Sequence, residues 1–146
     1  MIKDYCGSLD YLLHLASSAP SQENCLLGCA VTQETGIYCI EDYCRLEDLG
    51  EESDCISLHV PQSVLWCLLD VCNCRNSIPI VMHTHCKGSP YYDPLKFSQQ
   101  DEFFMKSLSH FAWSNFGIPQ CLAILSNDRE YIYKSYDSCE VAHHDK

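Results

Sequence analysis

Positive charge is scarce in this sequence. Its 146 residues include 9 Lys and Arg against 20 Asp and Glu, which gives a formal net charge of -11. A protein that binds a phosphate backbone needs clustered Lys and Arg to neutralise it. We therefore expect no nucleic-acid partner.

Long apolar runs are also absent. No window approaches the ~18 uninterrupted apolar residues that a membrane-spanning helix needs. The first twenty residues lack a basic region and contain Asp4 and Asp10, which a secretory signal would exclude. We expect no membrane span, no signal peptide and a cytoplasmic location.

The sequence has 12 cysteines but no C-x2-C pair, the spacing that begins most structural zinc sites. Without a sign of export, we expect reduced thiols that mostly pack as small buried hydrophobes. The closely spaced cysteines are Cys25 and Cys29, Cys39 and Cys44, and Cys72 and Cys74.

No repeat or Pro/Gly-rich linker divides the chain, and 47% of its residues are hydrophobic, so residues 1–146 are predicted to form one domain. Hydrophobic periodicity and turn signals predict an α/β (α+β) fold. The predicted helices are 8–18, 60–72 with Pro61 in its first turn, and one that starts after Ser98. The predicted strands are 25–32, 36–44, 55–59, 78–82, 120–125 and 131–136, with turns at 33–36 and 127–128 and an exposed loop over 45–54.

Two histidines follow the predicted strand 78–82. His83 and His85 have the same parity on an extended segment, so their imidazoles point to the same side. Asp101 lies one helical turn beyond Ser98, which is a good helix N-cap. If that turn docks against the strand end, His83, His85 and Asp101 form a three-ligand metal site with an open position, as in catalytic zinc sites.

A hydrolytic site of this kind also needs a base to accept a proton from water. Glu23 is the best candidate, because a strand paired beside 78–82 would bring its carboxylate over the metal. Its rivals Glu34, Glu41 and Glu47 lie in a predicted turn or loop. Ser98 can donate its hydroxyl to the oxyanion that forms when water attacks a carbonyl group.

Each of these features alone has a simpler explanation. A single His-x-His is common, Ser98 and Asp101 alone are an ordinary helix N-terminus, and Glu23 alone is an exposed carboxylate. The combination in one chain favours the metal site.

The stretches "ENCLLGCAV", "HTHC" and "SQQD" together resemble the motif of the JAMM metalloenzyme family, also called the MPN or JAB family. The resemblance covers nearly the whole chain and implies a curved mixed β-sheet flanked by helices, related to cytidine deaminases. It also implies zinc-dependent hydrolysis after the C-terminal glycine of ubiquitin or a ubiquitin-like protein. By this resemblance His83, His85 and Asp101 are zinc ligands, Glu23 is the general base and Ser98 is the oxyanion donor.

The chain departs from the family pattern at two places. Cys86 stands where the family usually has proline, and is interpreted as a bystander, a redox-sensitive thiol or an extra ligand. The spacer over 86–97 is longer than usual, and its Tyr91 and Tyr92 form either a wall of a peptide groove or a solvated loop. The compact chain is similar to stand-alone bacterial JAB domains, some in antiphage defence and some maturing sulfur-carrier proteins. The implied partners are a ubiquitin-like protein or its conjugate and an E1-like or E2-like enzyme of the same pathway.

Two other functions stay open. The first is a non-catalytic MPN scaffold, although such scaffolds usually lose metal ligands and none is lost here. The second is a deaminase-like zinc hydrolase, whose usual His-x-Glu and Pro-Cys-x-x-Cys signature is missing.

Overall fold

A computed structural model describes residues 1–45 and 60–138. Within these residues the chain forms six strands and three helices. In chain order they are β1 (Ile2–Asp4), α1 (Ser8–Ser18), β2 (Asn24–Glu34), β3 (Ile37–Arg45), α2 (Gln62–Cys74), β4 (Ile78–Thr84), α3 (Gln99–Phe116), β5 (Gln120–Ser126) and β6 (Tyr131–Asp137).

The strands form one mixed sheet in the order β1-β3-β2-β4-β5-β6. The pairs β1–β3 and β4–β5 are parallel, and the other neighbours are antiparallel. The sheet is curled, because the rings of Tyr38 on β3 and Tyr133 on β6 are 6.5 Å apart although three strands lie between them. In a flat sheet those two strands would be about 19 Å apart. The predicted α/β (α+β) class is confirmed.

Helices cover both faces of the sheet centre, and every residue of β4 is buried. On one face, the Asn24 side-chain amide donates to Thr84 Oγ1 at 3.0 Å and to the Ala19 carbonyl just after α1 at 3.3 Å. Thr84 and the preceding His83 point to opposite faces. His83 contacts Asp101 of α3, so α1 lies on one face and α3 on the other.

Helix α1 has the predicted apolar stripe on one face and a polar cap at its N-terminus. Leu9, Leu12 and Ala16 are buried against the sheet, as their spacing predicts. The carboxylate of Asp4, at the end of β1, accepts hydrogen bonds from the amides of Ser8 at 3.2 Å and Leu9 at 2.8 Å. Asp4 therefore satisfies amides that a helix start leaves without intrahelical partners.

Most predicted elements are present with shifted ends. Strand β1 was not predicted, because three half-buried residues carry almost no pattern. Helix α2 begins at Gln62 with Pro61 as its N-cap, so the predicted start at 60 and the placement of Pro61 inside the first turn were wrong. Strand β4 continues through His83 to Thr84. The predicted strand 55–59 and nearly all of the predicted loop 45–54 lie outside the described residues.

Several cysteines pack as small hydrophobes. Buried thiols are found at Cys25, Cys29, Cys39, Cys72 and Cys121. In the described part of the chain, no helix combines the length and the hydropathy needed to cross a membrane.

Gly28 lies in the central strand β2 where two neighbouring strands approach closely. A Cβ atom at this position would meet the backbone carbonyl oxygen of Asp42 and lie 3.2 Å from Ile80 Cγ2. We expect Gly28→Ala to lower the free energy of unfolding by about 1–3 kcal/mol, because the backbone of β3 must shift to admit the methyl group. Urea denaturation measures the change.

Thr32→Ala is the control, because Thr32 is exposed on the same strand. Its free energy of unfolding should change by no more than about 0.5 kcal/mol. Equal stability of Gly28→Ala and the parent protein would contradict the close approach of β2 and β3.

Candidate metal centre

The pairing of β2 with β4 brings Glu23 and the two histidines to one end of the sheet. In this antiparallel register Asn24 lies opposite Thr84 and Cys25 lies opposite His83. The next position places Glu23 opposite His85. Side chains alternate along a strand, so Glu23, His83 and His85 all point to the face that carries α3.

The first turn of α3 supplies the third element of the site. Ser98 is the N-cap, and its hydroxyl oxygen accepts a hydrogen bond from the amide of Asp101 at 3.1 Å. In return the amide of Ser98 donates to Asp101 Oδ2 at 2.8 Å. This reciprocal capping box fixes the Asp101 side chain at the helix start.

The Asp101 carboxylate joins the two imidazoles. His83 Nε2 donates to one carboxylate oxygen and His85 Nε2 donates to the other, each at 3.0 Å. The side chains of all three residues are buried, and their candidate ligand atoms lie within 4.8 Å of one another. The predicted ligand set is therefore assembled in space.

The donor set fits a divalent metal ion. Two imidazole nitrogens and one carboxylate oxygen are usual zinc ligands, and a tetrahedral ion holds such atoms ~3.3 Å apart. Among the described residues, His83 Nδ1 and Glu23 Oε2 are buried polar atoms without a hydrogen-bond partner. Buried polar atoms in this state are uncommon and often occur where a ligand, ion or water belongs. The group can bind a metal ion.

Glu23 occupies a position that the sequence did not specify. Its Oε1 accepts a hydrogen bond from His85 Nδ1 at 3.2 Å. The other ring nitrogen of His85, Nε2, faces Asp101. A carboxylate at this place orients a ligand histidine and increases its basicity. The second oxygen, Oε2, remains available for a water molecule. Of the rival carboxylates, Glu34 and Glu41 are exposed on their strands, and Glu47 lies outside the described residues.

The charges of the site depend on one another. Burial lowers the pKa of His85, but its hydrogen bonds to Asp101 and Glu23 outweigh burial and raise the pKa to about 9. Burial raises the pKa of Asp101, but the hydrogen bonds from His83 and His85 outweigh burial and hold this pKa well below its usual range. Without a metal, the raised pKa of His85 therefore favours its imidazolium form at neutral pH, beside the ionised Asp101.

Aromatic rings line the site next to the histidines. The Tyr91 ring lies 5.8 Å from the His85 ring, and the Phe97 ring lies 6.5 Å from the His83 ring. Sequence reasoning suggested Tyr91 as a wall but missed Phe97, although Phe97 directly precedes the N-cap of α3. Tyr92, by contrast, is buried and has a structural role, because its hydroxyl oxygen accepts a hydrogen bond from the amide of Asp128 at 3.3 Å.

The loop 86–97 is attached to the body of the protein at its start. The amide of Lys87 donates to the Pro20 carbonyl at 2.7 Å. Cys86 is partly buried, and its thiol donates to the Ser21 carbonyl at 3.6 Å. Cys86 is not part of the clustered group of candidate ligands.

Comparison with models of known protein families gives no match, and comparison with curated proteins gives none either.

We expect the purified chain to bind about one divalent transition-metal ion through His83, His85 and Asp101. His83→Ala should lower the affinity by at least about tenfold, because it removes a direct nitrogen ligand. Equilibrium dialysis with Zn²⁺, and the visible absorption of a Co²⁺-loaded sample, measure stoichiometry and ligand geometry. His14→Ala is the control, because His14 is exposed on α1, and it should bind like the parent. Equal binding by both variants would rule out this site.

Metal binding should release a proton from His85. The folded, metal-free protein holds this proton up to a pKa of about 9, whereas a metal ion needs the neutral ring. We expect metal binding to release this proton at pH 7 to 8. Above about pH 10 no proton should be released, because the ring is already neutral before the metal binds. Calorimetry in buffers of different ionisation enthalpy measures the proton count.

The same raised pKa makes His85 stabilise the metal-free fold. This contribution is fully present below the unfolded value near 6.5 and is lost as the pH rises through about 9. The metal-free protein should therefore lose stability over that interval, and unchanged stability together with no proton release would contradict the assignment.

Proposed function

We propose that this chain is a member of the JAMM metalloenzyme family with the MPN/JAB fold. In this proposal it is a zinc-dependent isopeptidase or peptidase that hydrolyses the bond after the C-terminal glycine of a ubiquitin-like protein. The observation that carries the proposal is the buried group of His83, His85 and Asp101, with Glu23 on His85. The curled mixed sheet with helices on both faces is consistent with the fold that the motif implies.

Zinc is the proposed metal because two imidazoles and one carboxylate are the ligand set of catalytic zinc sites. When bound, zinc would supply Lewis-acid polarisation of a water molecule and of the scissile carbonyl group. His83 and His85 would hold it through Nε2, and Asp101 through its carboxylate. The capping box keeps Asp101 in place, so the start of α3 stabilises the ligand arrangement.

Glu23 has two tasks in this proposal, one for each oxygen. Oε1 holds His85 through its Nδ1–H, and Oε2 is buried without a hydrogen-bond partner among the described residues. This second oxygen can accept the proton of the attacking water and pass it to the leaving amine. As general base, Glu23 would act through Oε2 while Oε1 keeps the hydrogen bond to His85.

Ser98 can serve both the fold and the reaction. Its oxygen accepts the hydrogen bond from the amide of Asp101, and its own hydroxyl hydrogen remains to be donated. In the proposed reaction this hydrogen stabilises the negative charge that develops on the substrate carbonyl oxygen.

The aromatic rings favour a narrow substrate tail. Tyr91 and Phe97 lie beside the two histidines, so a substrate chain that reaches the proposed metal passes close to aromatic rings. Glycine has no Cβ and allows such an approach. From the family resemblance, the proposed partners are a ubiquitin-like protein or its conjugate, whose C-terminal tail would lie beside these rings, and an E1-like or E2-like enzyme of the same pathway.

Glu23→Gln tests the proposal most directly. We expect cleavage to fall by about 10²–10⁴-fold, because glutamine retains the shape but cannot accept the proton. The substrates are ubiquitin and sulfur-carrier proteins, each fused through its C-terminal glycine to a short extension. Zinc is kept saturating, and metal content is measured alongside, because loss of the contact to His85 also weakens binding.

Two further variants separate catalysis from folding. Ser98→Gly removes the hydroxyl donor, and glycine is also accepted at a helix N-cap, so the variant should fold and bind zinc yet cleave more slowly. His14→Ala should cleave like the parent. Full activity of Glu23→Gln would exclude the role of general base, and no cleavage of any fusion by the zinc-loaded parent would favour the scaffold.

A further inference from the structure

Two buried cysteines face each other at a position remote from the candidate metal centre. Cys29 lies on β2, Cys72 lies in the last turn of α2, and their sulfur atoms are 3.3 Å apart. The relative exposure of the two residues is 4% and 0%. A disulfide bond needs ~2.05 Å between the sulfurs. The two thiols therefore need to close by only about 1.3 Å.

The surroundings of Cys29 favour its thiolate. The hydrogen bond from the Cys72 thiol outweighs burial and, with the hydroxyl of Ser77 and the charge of Arg75, lowers the pKa of Cys29. The same interaction, together with burial, raises the pKa of Cys72. Because the positive charge of Arg75 favours the Cys29 thiolate, we assign Cys29 as the attacking thiol and Cys72, whose sulfur is 3.3 Å away, as the resolving thiol.

Other buried cysteines of the sheet lack this environment. Burial raises the pKa of Cys121 to about 11, and burial also raises the pKa of Cys25. Cysteines in such surroundings are packing residues with little reactivity. Cys29 therefore differs from its buried neighbours in chemistry and not only in position.

Among the described residues, a groove lies beside Cys29. The groove has a volume of about 380 Å³, lies between β3 and α2, and includes Cys29 in its lining. Its apolar walls include Leu27, Val64 and Leu68. A peroxide molecule is far smaller than this groove.

We propose that Cys29 and Cys72 form a dithiol site that a peroxide oxidises to an intramolecular disulfide. The Cys29 thiolate attacks one peroxide oxygen, the O–O bond breaks, and hydroxide leaves, so that Cys29 becomes a sulfenic acid. The Cys72 thiol then attacks the Cys29 sulfur and the hydroxyl leaves as water. Peroxide is reduced by two electrons, and the two thiols lose two electrons and two protons in forming one S–S bond.

The site is separate from the proposed peptidase chemistry. Glu23 directly precedes β2, and Cys29 lies six residues further along the chain, about 20 Å in an extended strand. Oxidation would tie α2 to β2 without taking a residue from the metal centre. The Cys29–Cys72 pair can therefore be oxidised whether or not the chain hydrolyses a peptide bond.

Peroxide titration of the folded full-length chain tests the proposal. After alkylation of remaining thiols, tandem mass spectrometry should find the Cys29–Cys72 disulfide as the main product, with dithiothreitol restoring both thiols. Cys72→Ala should instead accumulate a Cys29 sulfenic acid, which a cyclic dione traps. Cys121→Ala is the matched buried control and should give the parent's disulfide yield.

Three results would overturn the proposal. The first is that Cys29 and Cys72 both remain open to alkylation after peroxide treatment, while other thiols are oxidised. The second is that other disulfides predominate. The third is that Cys121→Ala loses as much of the Cys29–Cys72 disulfide as Cys72→Ala does. Because the parent protein alone decides the first two, the test does not depend on the folding of any variant.

Discussion

The carboxylate of Asp101 joins two parts of this molecule. It accepts the amide of Ser98 at the start of α3 and the Nε2 hydrogens of His83 and His85 at the end of β4. The three candidate metal ligands therefore come together only when α3 is docked at the end of β4. A shift of α3 would move Asp101 away from both imidazoles, and among the described residues no second acidic side chain contacts both of them.

Burying these charged side chains costs free energy unless each of them has its partner. Asp101, Glu23 and His85 are all nearly excluded from solvent, and burying an unpaired charge costs several kcal/mol. The imidazolium of His85 lies between the two carboxylates and balances part of their charge. A bound cation would replace the proton on His85 as the positive charge between the carboxylates. Retaining such a cluster in a buried position favours a functional explanation over one based on stability alone.

Local patterns predicted much of the fold. The stripe of α1, the short apolar run of β4 and the Ser98 cap of α3 depend on neighbours within one or two turns, and the structure contains all three elements. Element ends were less predictable, as the start of α2 after Pro61 shows. Strand β1 has too few residues to carry a periodic signal, and it exists because β3 offers it a parallel edge. The curl of the sheet, which brings Tyr38 to Tyr133, has no local signal either.

By itself, the sequence determined which side chains are available and which of them share a face: the parity of His83 and His85, and the one-turn spacing of Ser98 and Asp101. These follow from strand and helix geometry and need no knowledge of the rest of the chain. Only the tertiary structure decided that Glu23 rests on the Nδ1 of His85, and that Cys29 meets Cys72 across 43 residues. Such contacts depend on strand register and helix docking, which are set by the packing of the whole core.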